Sequence, residues 1–255
     1  MHRTVTVAVA AGLTLALAPV AHAGQPLETE STRLLPAHRF EVKTGFEHQH
    51  SSGGTESAAP LAFGYGVTDR LELLVEPVPF NLIRDHSASK VQGPGDLEVT
   101  LTSRVFNESV SRPAFAIAGA VKLPTATNRR IGSGKTDVTG WAIVSRRIGR
   151  WDTHANCGYS VIGKPAGIAV NNFFNYALGE ELHVGKQWEV VGEVFGNTDA
   201  LAETADSPKS AGESATTPEI GGAETVGMHG MPYVFGVSVD SQSAVLVHPG
   251  FTFAF

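Results

Sequence analysis

Apolar and polar residues alternate along most of this chain, with a period of two that recurs in about twelve segments. In the clearest segment, Leu97, Val99 and Leu101 alternate with Glu98 and Thr100. Successive side chains of a β-strand point to opposite faces, so each segment predicts a strand with one apolar and one polar face. We therefore expect an all-β chain of about twelve strands, in which the tenth, near residues 218–226, is the least defined because it is rich in glycine.

The connections between these segments alternate in length. Turns at residues 68–70 and 149–150 are short, whereas the stretches 50–57, 81–94 and 198–217 are expected to be long loops. Barrels that cross the outer membrane have short periplasmic turns and longer external loops. The fold class predicted is thus a transmembrane antiparallel up-and-down β-barrel of about twelve strands, with both termini on the periplasmic side.

The N-terminus indicates export. Arg3 precedes an apolar run over residues 5–20, and Ala21 and Ala23 form a small-x-small cleavage site. This arrangement is typical of a secretory signal peptide. We expect a leader over residues 1–23, cleaved after Ala23, and a barrel over residues 24–255 in the outer membrane of a Gram-negative bacterium. After the leader, no apolar run is long enough for a membrane-spanning helix.

The two faces of the predicted strands differ in character. In hydrocarbon, every backbone polar group needs a partner within the protein, so a membrane sheet must close and place one face on lipid. We expect the apolar face outside and the charged face inside. The residues predicted to line the lumen are Glu41, Lys43, Glu47, Glu72, Glu98, Arg104, Lys122, His154, Glu181, Glu189 and Glu193. A soluble periplasmic sandwich or lipocalin-like barrel, the alternative, would have the opposite orientation.

Composition narrows the function further. The formal net charge is −6, which argues against binding to nucleic acid. The single cysteine, Cys157, excludes an intrachain disulfide and a cysteine-based metal cluster, and it falls on the apolar face as a small hydrophobic residue. No cofactor or metal is expected. The expected partners are outer-membrane lipid, the barrel-assembly machinery and a small solute of unknown identity.

Several segments resemble a known family. They are Tyr65 to Leu73, Gly93 to Leu97, Lys122 to Thr125, Gly132 to Asp137 and Gly192 to Asn197. Their order over nearly the whole chain resembles the outer-membrane barrel family named for the meta-cleavage pathway of phenol degradation. The resemblance implies transport of aromatic or other hydrophobic compounds. The ending with Phe251, Phe253 and Phe255 looks like the C-terminal signal that barrel-assembly machinery recognises.

Three candidate sites have simpler interpretations. The stretch 132–136, Gly-Ser-Gly-Lys-Thr, lacks the first glycine of a phosphate-binding loop, because that position holds Arg129. His48 and His50 share a face but have no evident third metal ligand. A cluster of His154, Asn156 and Ser160 on the predicted inward face suggests an outer-membrane hydrolase only if it could reach lipid.

The leading functional hypothesis is therefore a non-enzymatic passive channel or uptake protein for small molecules. An excess of glutamate on the inward face predicts a preference for cations or neutral solutes over anions. One alternative is a structural or interaction barrel with a plugged lumen. The second alternative is the hydrolase that uses His154.

Overall fold

The computed structural model describes residues 29–51, 53–85, 90–166, 170–184, 188–198, 220–228, 233–240 and 245–254. The predicted leader lies outside these ranges. No helix within them is long and apolar enough to span a membrane.

The described residues form sixteen antiparallel strand segments in one sheet. The first eight are β1 (Phe40–Gly45), β2 (Glu47–Ser51), β3 (Gly54–Ala59), β4 (Leu61–Thr68), β5 (Leu71–Pro77), β6 (Phe80–Asp85), β7 (Lys90–Gly93) and β8 (Leu97–Phe106). The others are β9 (Ala114–Leu123), β10 (Asp137–Ile148), β11 (Trp151–Val161), β12 (Phe173–Val184), β13 (Trp188–Asn197), β14 (Ile220–Met228), β15 (Tyr233–Asp240) and β16 (Val245–Ala254).

The sixteen segments occupy twelve strand positions in a ring. Each of the first four positions is split into two consecutive segments, β1 with β2, β3 with β4, β5 with β6, and β7 with β8. From β8 onward each segment pairs with the next along the chain, and β1 pairs with both β4 and β16. The sheet therefore closes on itself, which confirms the predicted antiparallel barrel of about twelve strands.

Prolines mark where the first four positions are split. Pro60 separates β3 from β4, Pro79 lies between β5 and β6, and Pro94 lies between β7 and β8. The break at Phe46 faces Pro249, whose carbonyl accepts the Phe46 N–H at 2.9 Å. Proline has no N–H to donate to the ladder, so strand pairing lapses at these points. We call this line of interruptions across neighbouring strands the proline seam.

Burial shows which face is enclosed. Asp152, His154 and Asn156 on β11 are 3–5 % exposed, although they are polar. Their outward neighbours Trp151 and Tyr159 are 49 % and 41 % exposed. The same inversion recurs around the ring, where Ile117, Leu178 and Phe251 face outward and Glu41, Asp137 and Glu193 face inward. A soluble barrel has the opposite arrangement, so the alternative of a periplasmic sandwich or lipocalin-like fold is wrong.

Two predicted loops are largely strand. The stretch expected to be a long loop at 50–57 instead contains the ends of β2 and β3, which pair from Glu47↔Ala58 to Ser51↔Gly54. Likewise, β6 and β7 pair within residues 81–93. Polar residues on both faces do not prevent pairing beyond the apolar band, because water solvates side chains there. Of the long loop expected at 198–217, only Thr198 lies within the described residues.

The least defined predicted strand is also present. β14 pairs with β13 from Trp188↔Met228 to Gly196↔Ile220 and with β15 on its other edge. The last strand, β16, places Phe251 and Phe253 on the outward face, opposite Thr44 and Val42 of β1. Phe255 lies outside the described residues.

Because the apolar face points outward into lipid, a charged substitution on that face is expected to lower the free energy of unfolding. Leu178 lies in the middle of β12 and is 50 % exposed. We expect Leu178→Arg to lower the free energy of unfolding in lipid vesicles by about 2–4 kcal/mol, because arginine is poorly solvated in the apolar band. Urea titration of the folded barrel measures this effect. Leu178→Ala is the control and should cost much less; equal effects of the two changes would mean that this position does not contact lipid.

Candidate functional site

The chain before the first strand lies inside the barrel. Residues 29–37, which we call the lumen segment, form no strand but bond to the inner wall at several positions. Leu35 contacts β5, at the third position of the ring, and Thr29 contacts β13, at the ninth. These positions face each other across a ring of twelve. Seven residues of extended chain reach about 20 Å. Thr32, in their middle, contacts Ser145 of β10, so the lumen segment follows the inner wall around the half of the ring that contains β10.

Carboxylates hold both ends of the lumen segment. The Thr29 N–H and hydroxyl both donate to Glu193 Oε2, at 2.9 and 2.7 Å. At the other wall, the Leu35 N–H donates to Glu72 Oε2 at 2.5 Å, and the Ala37 N–H donates to Asp69 at 3.0 Å. Backbone N–H groups that lack a strand partner thus find charged acceptors, and charge-assisted hydrogen bonds are stronger than neutral ones.

Wall residues also bind the middle of the lumen segment. The Thr32 N–H donates to Ser145 Oγ at 3.0 Å, and the Thr32 carbonyl accepts from Arg104 Nη1 at 3.3 Å. Arg104 also donates to the carbonyl of Asp69. Because Asp69 lies in the short turn between β4 and β5, these contacts place the lumen segment near the short-turn end of the barrel.

Small residues in the wall make room for the segment. A side chain at Gly66 would overlap the carbonyl of Pro36, and one at Gly179 would press against Thr29 at 3.1 Å. On β9, Ala114, Ala116 and Ala118 face inward and are buried. Without these small residues the wall could not approach the segment closely enough for the hydrogen bonds described above.

Arg33 enters an ionic cluster on β11 and β12. Its Nη2 lies 2.8 Å from Asp152 Oδ2, 3.1 Å from Glu181 Oε2 and 3.3 Å from His154 Nε2. His183 Nε2 lies 2.9 Å from the same Asp152 oxygen. Asp152 and Glu181 are direct partners in the β11–β12 register. His154 and His183 are each two residues further along their strands, on opposite sides of this pair because the strands are antiparallel. We call Asp152, His154, Glu181 and His183 the Arg33 cluster.

The remaining predicted lumen residues form smaller groups. Glu41 is 3 % exposed and forms an ion pair with Lys43, with 3.0 Å between Glu41 Oε1 and Lys43 Nζ. Lys122 forms an ion pair with Asp137 and lies opposite Glu98 in the β8–β9 register. Glu47, on β2, is half-buried beyond the proline seam. The side chain of Glu189 lies outside the described residues.

Acidic groups outnumber basic ones on the wall of β5 and β8. Glu76 and Glu98 are direct neighbours across these strands, and Glu72 lies on the same face. Glu30 adds another carboxyl from the lumen segment. Its side chain is exposed to the space within the barrel. The interior therefore favours positive charge over negative charge.

The cluster predicted for a hydrolase is not assembled. His154 Nδ1 lies 2.8 Å from Ser145 Oγ, whereas Ser160 pairs with Thr139 and Asn175. Neither amide atom of Asn156 has a hydrogen-bond partner among the described residues. Ser145 is itself 5 % exposed and accepts the Thr32 N–H, so no ester could approach its hydroxyl from the lumen or from lipid.

The candidate phosphate loop and the candidate histidine metal site also lack the features of a binding site. Residues 132–136 lie in the loop between β9 and β10, where Gly132 packs against the Asp96 carboxylate. An acidic group at that position repels phosphate. His48 and His50 are exposed, and the His48 ring contacts Ser57. Cys157 is exposed on the outward face, as expected.

Sequence reasoning missed the residues that organise this site. Thr29, Thr32 and Arg33 precede the first strand and show no periodicity, so nothing local places them inside the barrel. Asp152 shares the inward face with His154, but its role in the cluster depends on Arg33 arriving from far away in sequence. On the predicted inward faces, acidic residues outnumber basic ones. This excess was a signal in the sequence that a basic residue from elsewhere in the chain pairs with them.

Comparison with solved structures supports the architecture. The COG4313 outer-membrane channel from Pseudomonas putida F1 superimposes with a TM-score of 0.69 at 11 % identity, covering 89 % of this chain and all of that one. The KdgM porin matches with a TM-score of 0.50 at 9 % identity, covering 84 % of this chain and 99 % of that one. No family model matches the sequence. No curated protein matches it either. At this identity the likeness shows the fold, a transmembrane β-barrel.

The anchoring of the lumen segment can be tested by hydrogen exchange. We expect Arg33→Ala to speed exchange of the Thr32 and Leu35 amides at least about tenfold, because the loss of the ionic contacts frees the segment to open locally. Mass spectrometry of the detergent-solubilised barrel measures this. Arg130→Ala is the control, since Arg130 pairs with Asp85 among the long connections at the other end of the barrel. Unchanged exchange in the Arg33 variant would show that backbone contacts alone hold the segment.

Proposed function

We propose that this chain is a passive outer-membrane channel or uptake protein for small molecules, with a lumen restricted by its own N-terminal segment. The observation that carries the proposal is the closed ring whose apolar side chains face outward while Glu41, His154 and Glu193 are enclosed. A wall with polar groups inside solvates a passing solute, and diffusion down a gradient needs no catalytic group. The channel and the porin that share this fold support the proposal.

Localisation follows from the same fold. Barrels of this kind lie in the outer membrane of Gram-negative bacteria, with short turns in the periplasm. The proposal therefore includes export by the leader of residues 1–23 and recognition of Phe251, Phe253 and Phe255 by the barrel-assembly machinery. It also places the lumen segment, which lies near the short turn at Asp69, at the periplasmic end.

The class of solute is a narrower part of the proposal. Carboxylates at Glu72, Glu76 and Glu98 favour cations and neutral molecules over anions. The segments that resemble the family named for phenol degradation support aromatic or other hydrophobic compounds as natural solutes. A neutral aromatic molecule satisfies both arguments, because the inward carboxylates do not repel it.

One observation favours the alternative of a plugged barrel. The lumen segment is bonded to opposite walls through Glu72 and Glu193, so it obstructs part of the interior. A barrel of twelve strands lies between eight-stranded barrels filled by side chains and open porins of sixteen or more. Conductance of the intact protein distinguishes a restricted channel from a closed one.

Ion selectivity tests the charge argument. In a KCl gradient across a planar bilayer, we expect the reversal potential to show a preference for K⁺ over Cl⁻. Glu76→Gln with Glu98→Gln should weaken this preference because both side chains face the lumen. Glu180→Gln is the matched control, since Glu180 is the partner of outward-facing Thr153 and should not affect permeating ions. Anion preference in the unmodified protein would contradict the proposed selectivity.

Removing the obstruction tests the role of the lumen segment. We expect deletion of residues 29–36 to raise single-channel conductance about twofold or more, because a twelve-stranded barrel without a plug has free space inside. Liposome swelling with a neutral sugar provides a second measure. Heat-dependent migration in SDS reports whether the deleted barrel still folds. If neither the intact nor the folded deleted protein conducts, the plugged structural barrel is the correct alternative.

A further inference from the structure

We propose that the Arg33 cluster is a binding site for a divalent transition-metal ion of the zinc class, for which the Arg33 guanidinium is a built-in competitor. The site consists of two imidazoles and two carboxylates from adjacent strands. The oxygen and nitrogen atoms that Asp152, Glu181 and His183 offer all lie within 4.8 Å of one another. His154 lies outside this group of three and borders it through Glu181, with its Nε2 3.2 Å from Glu181 Oε1.

The spacing matches the requirement of a metal ion. A tetrahedral ion with bonds of 2.0–2.2 Å holds its ligand atoms roughly 3.4 Å apart. The pairs Asp152–His183 and His154–Glu181 are already at 2.9 and 3.2 Å. Because β11 and β12 are antiparallel, His154 and His183 flank the Asp152–Glu181 pair on opposite sides. Asp152, Glu181 and His183 form the core of the site, and His154 completes a tetrahedral set of ligands only by turning towards them.

Arg33 shows that this set of ligands binds a cation. Its guanidinium comes from a different part of the chain and lies within 3.3 Å of Asp152, Glu181 and His154. A guanidinium binds carboxylates as a planar donor, whereas imidazoles favour zinc, copper or nickel. Two histidines are more than an arginine salt bridge requires, and they give the site its affinity for metal.

The surroundings are suited to orient the ligands. Ser145 Oγ lies 2.8 Å from His154 Nδ1, so a neutral His154 that donates this proton presents the lone pair of Nε2 to the cluster. Metal-binding histidines generally have such a partner on the other ring nitrogen.

Competition has a structural consequence. The metal ion and the Arg33 guanidinium require the same carboxylate oxygens, so only one of them can occupy the cluster at a time. Arg147, which approaches Asp152 at 3.4 Å from the rim, is half exposed and can turn to solvent. Metal binding would thus release one attachment of the lumen segment. Any effect of this release on passage rests on the proposed channel function, whereas the binding itself does not.

The test is zinc binding to the folded, untagged protein in detergent, measured by calorimetry, with Co²⁺ absorption to report tetrahedral coordination. We expect Arg33→Ala to bind one Zn²⁺ about tenfold more tightly than the unmodified chain, equivalent to about 1.4 kcal/mol, because the competing cation is gone. Adding His154→Asn and His183→Asn should abolish this binding and the tetrahedral Co²⁺ spectrum.

The controls separate this site from other histidines. His48→Ala with His50→Ala, added to the Arg33 variant, should leave the zinc affinity unchanged, because both rings are outside the barrel. If Arg33→Ala does not fold, Arg33→Gln keeps the shape without the charge and carries the same expectation. Zinc binding no tighter than in the unmodified protein, or binding that survives loss of His154 and His183, would overturn the proposal. Neither outcome depends on whether the barrel conducts.

Discussion

The absence of water in the hydrocarbon core is the constraint on which this structure depends. Each N–H and C=O group within the bilayer must bond to another part of the chain, and a sheet meets that condition only by closing. Closure is visible in the pairing of β1 with β16. It follows that one face of every strand is enclosed, and the sequence uses that face for residues such as Asp152, which would be costly in contact with lipid.

An enclosed ionic face creates a second requirement. Carboxylates such as Glu193 and Asp152 are nearly inaccessible to solvent, and a buried charge is stable only when it is paired and hydrogen-bonded. The lumen segment meets part of this requirement through backbone N–H groups and Arg33. The segment and the wall are therefore complementary. The segment obtains acceptors for its unpaired amides, and the wall obtains donors for its carboxylates.

The pattern of the sequence predicted the wall well and the interior poorly, for a physical reason. Alternation around Leu97 or Cys157 results from the two-residue repeat of a strand, so strand positions and facing are encoded locally. Strand ends are less certain, because pairing of β2 with β3 continues where both faces are polar and alternation no longer indicates it. The position of Arg33 depends on contacts with residues more than a hundred positions away, and no local pattern encodes it.

The proline seam has a mechanical consequence for the barrel. A continuous ladder of hydrogen bonds makes a barrel resist shear between its strands. Where Pro60, Pro79 and Pro94 interrupt neighbouring strands, isolated bonds replace the regular ladder, such as that from the Gly45 N–H to the Pro60 carbonyl. Bending of the wall will therefore concentrate along this line. The hairpins formed by β2 with β3 and by β6 with β7 lie beyond this line, and they remain joined to the cylinder through the pairing of β2 with β16.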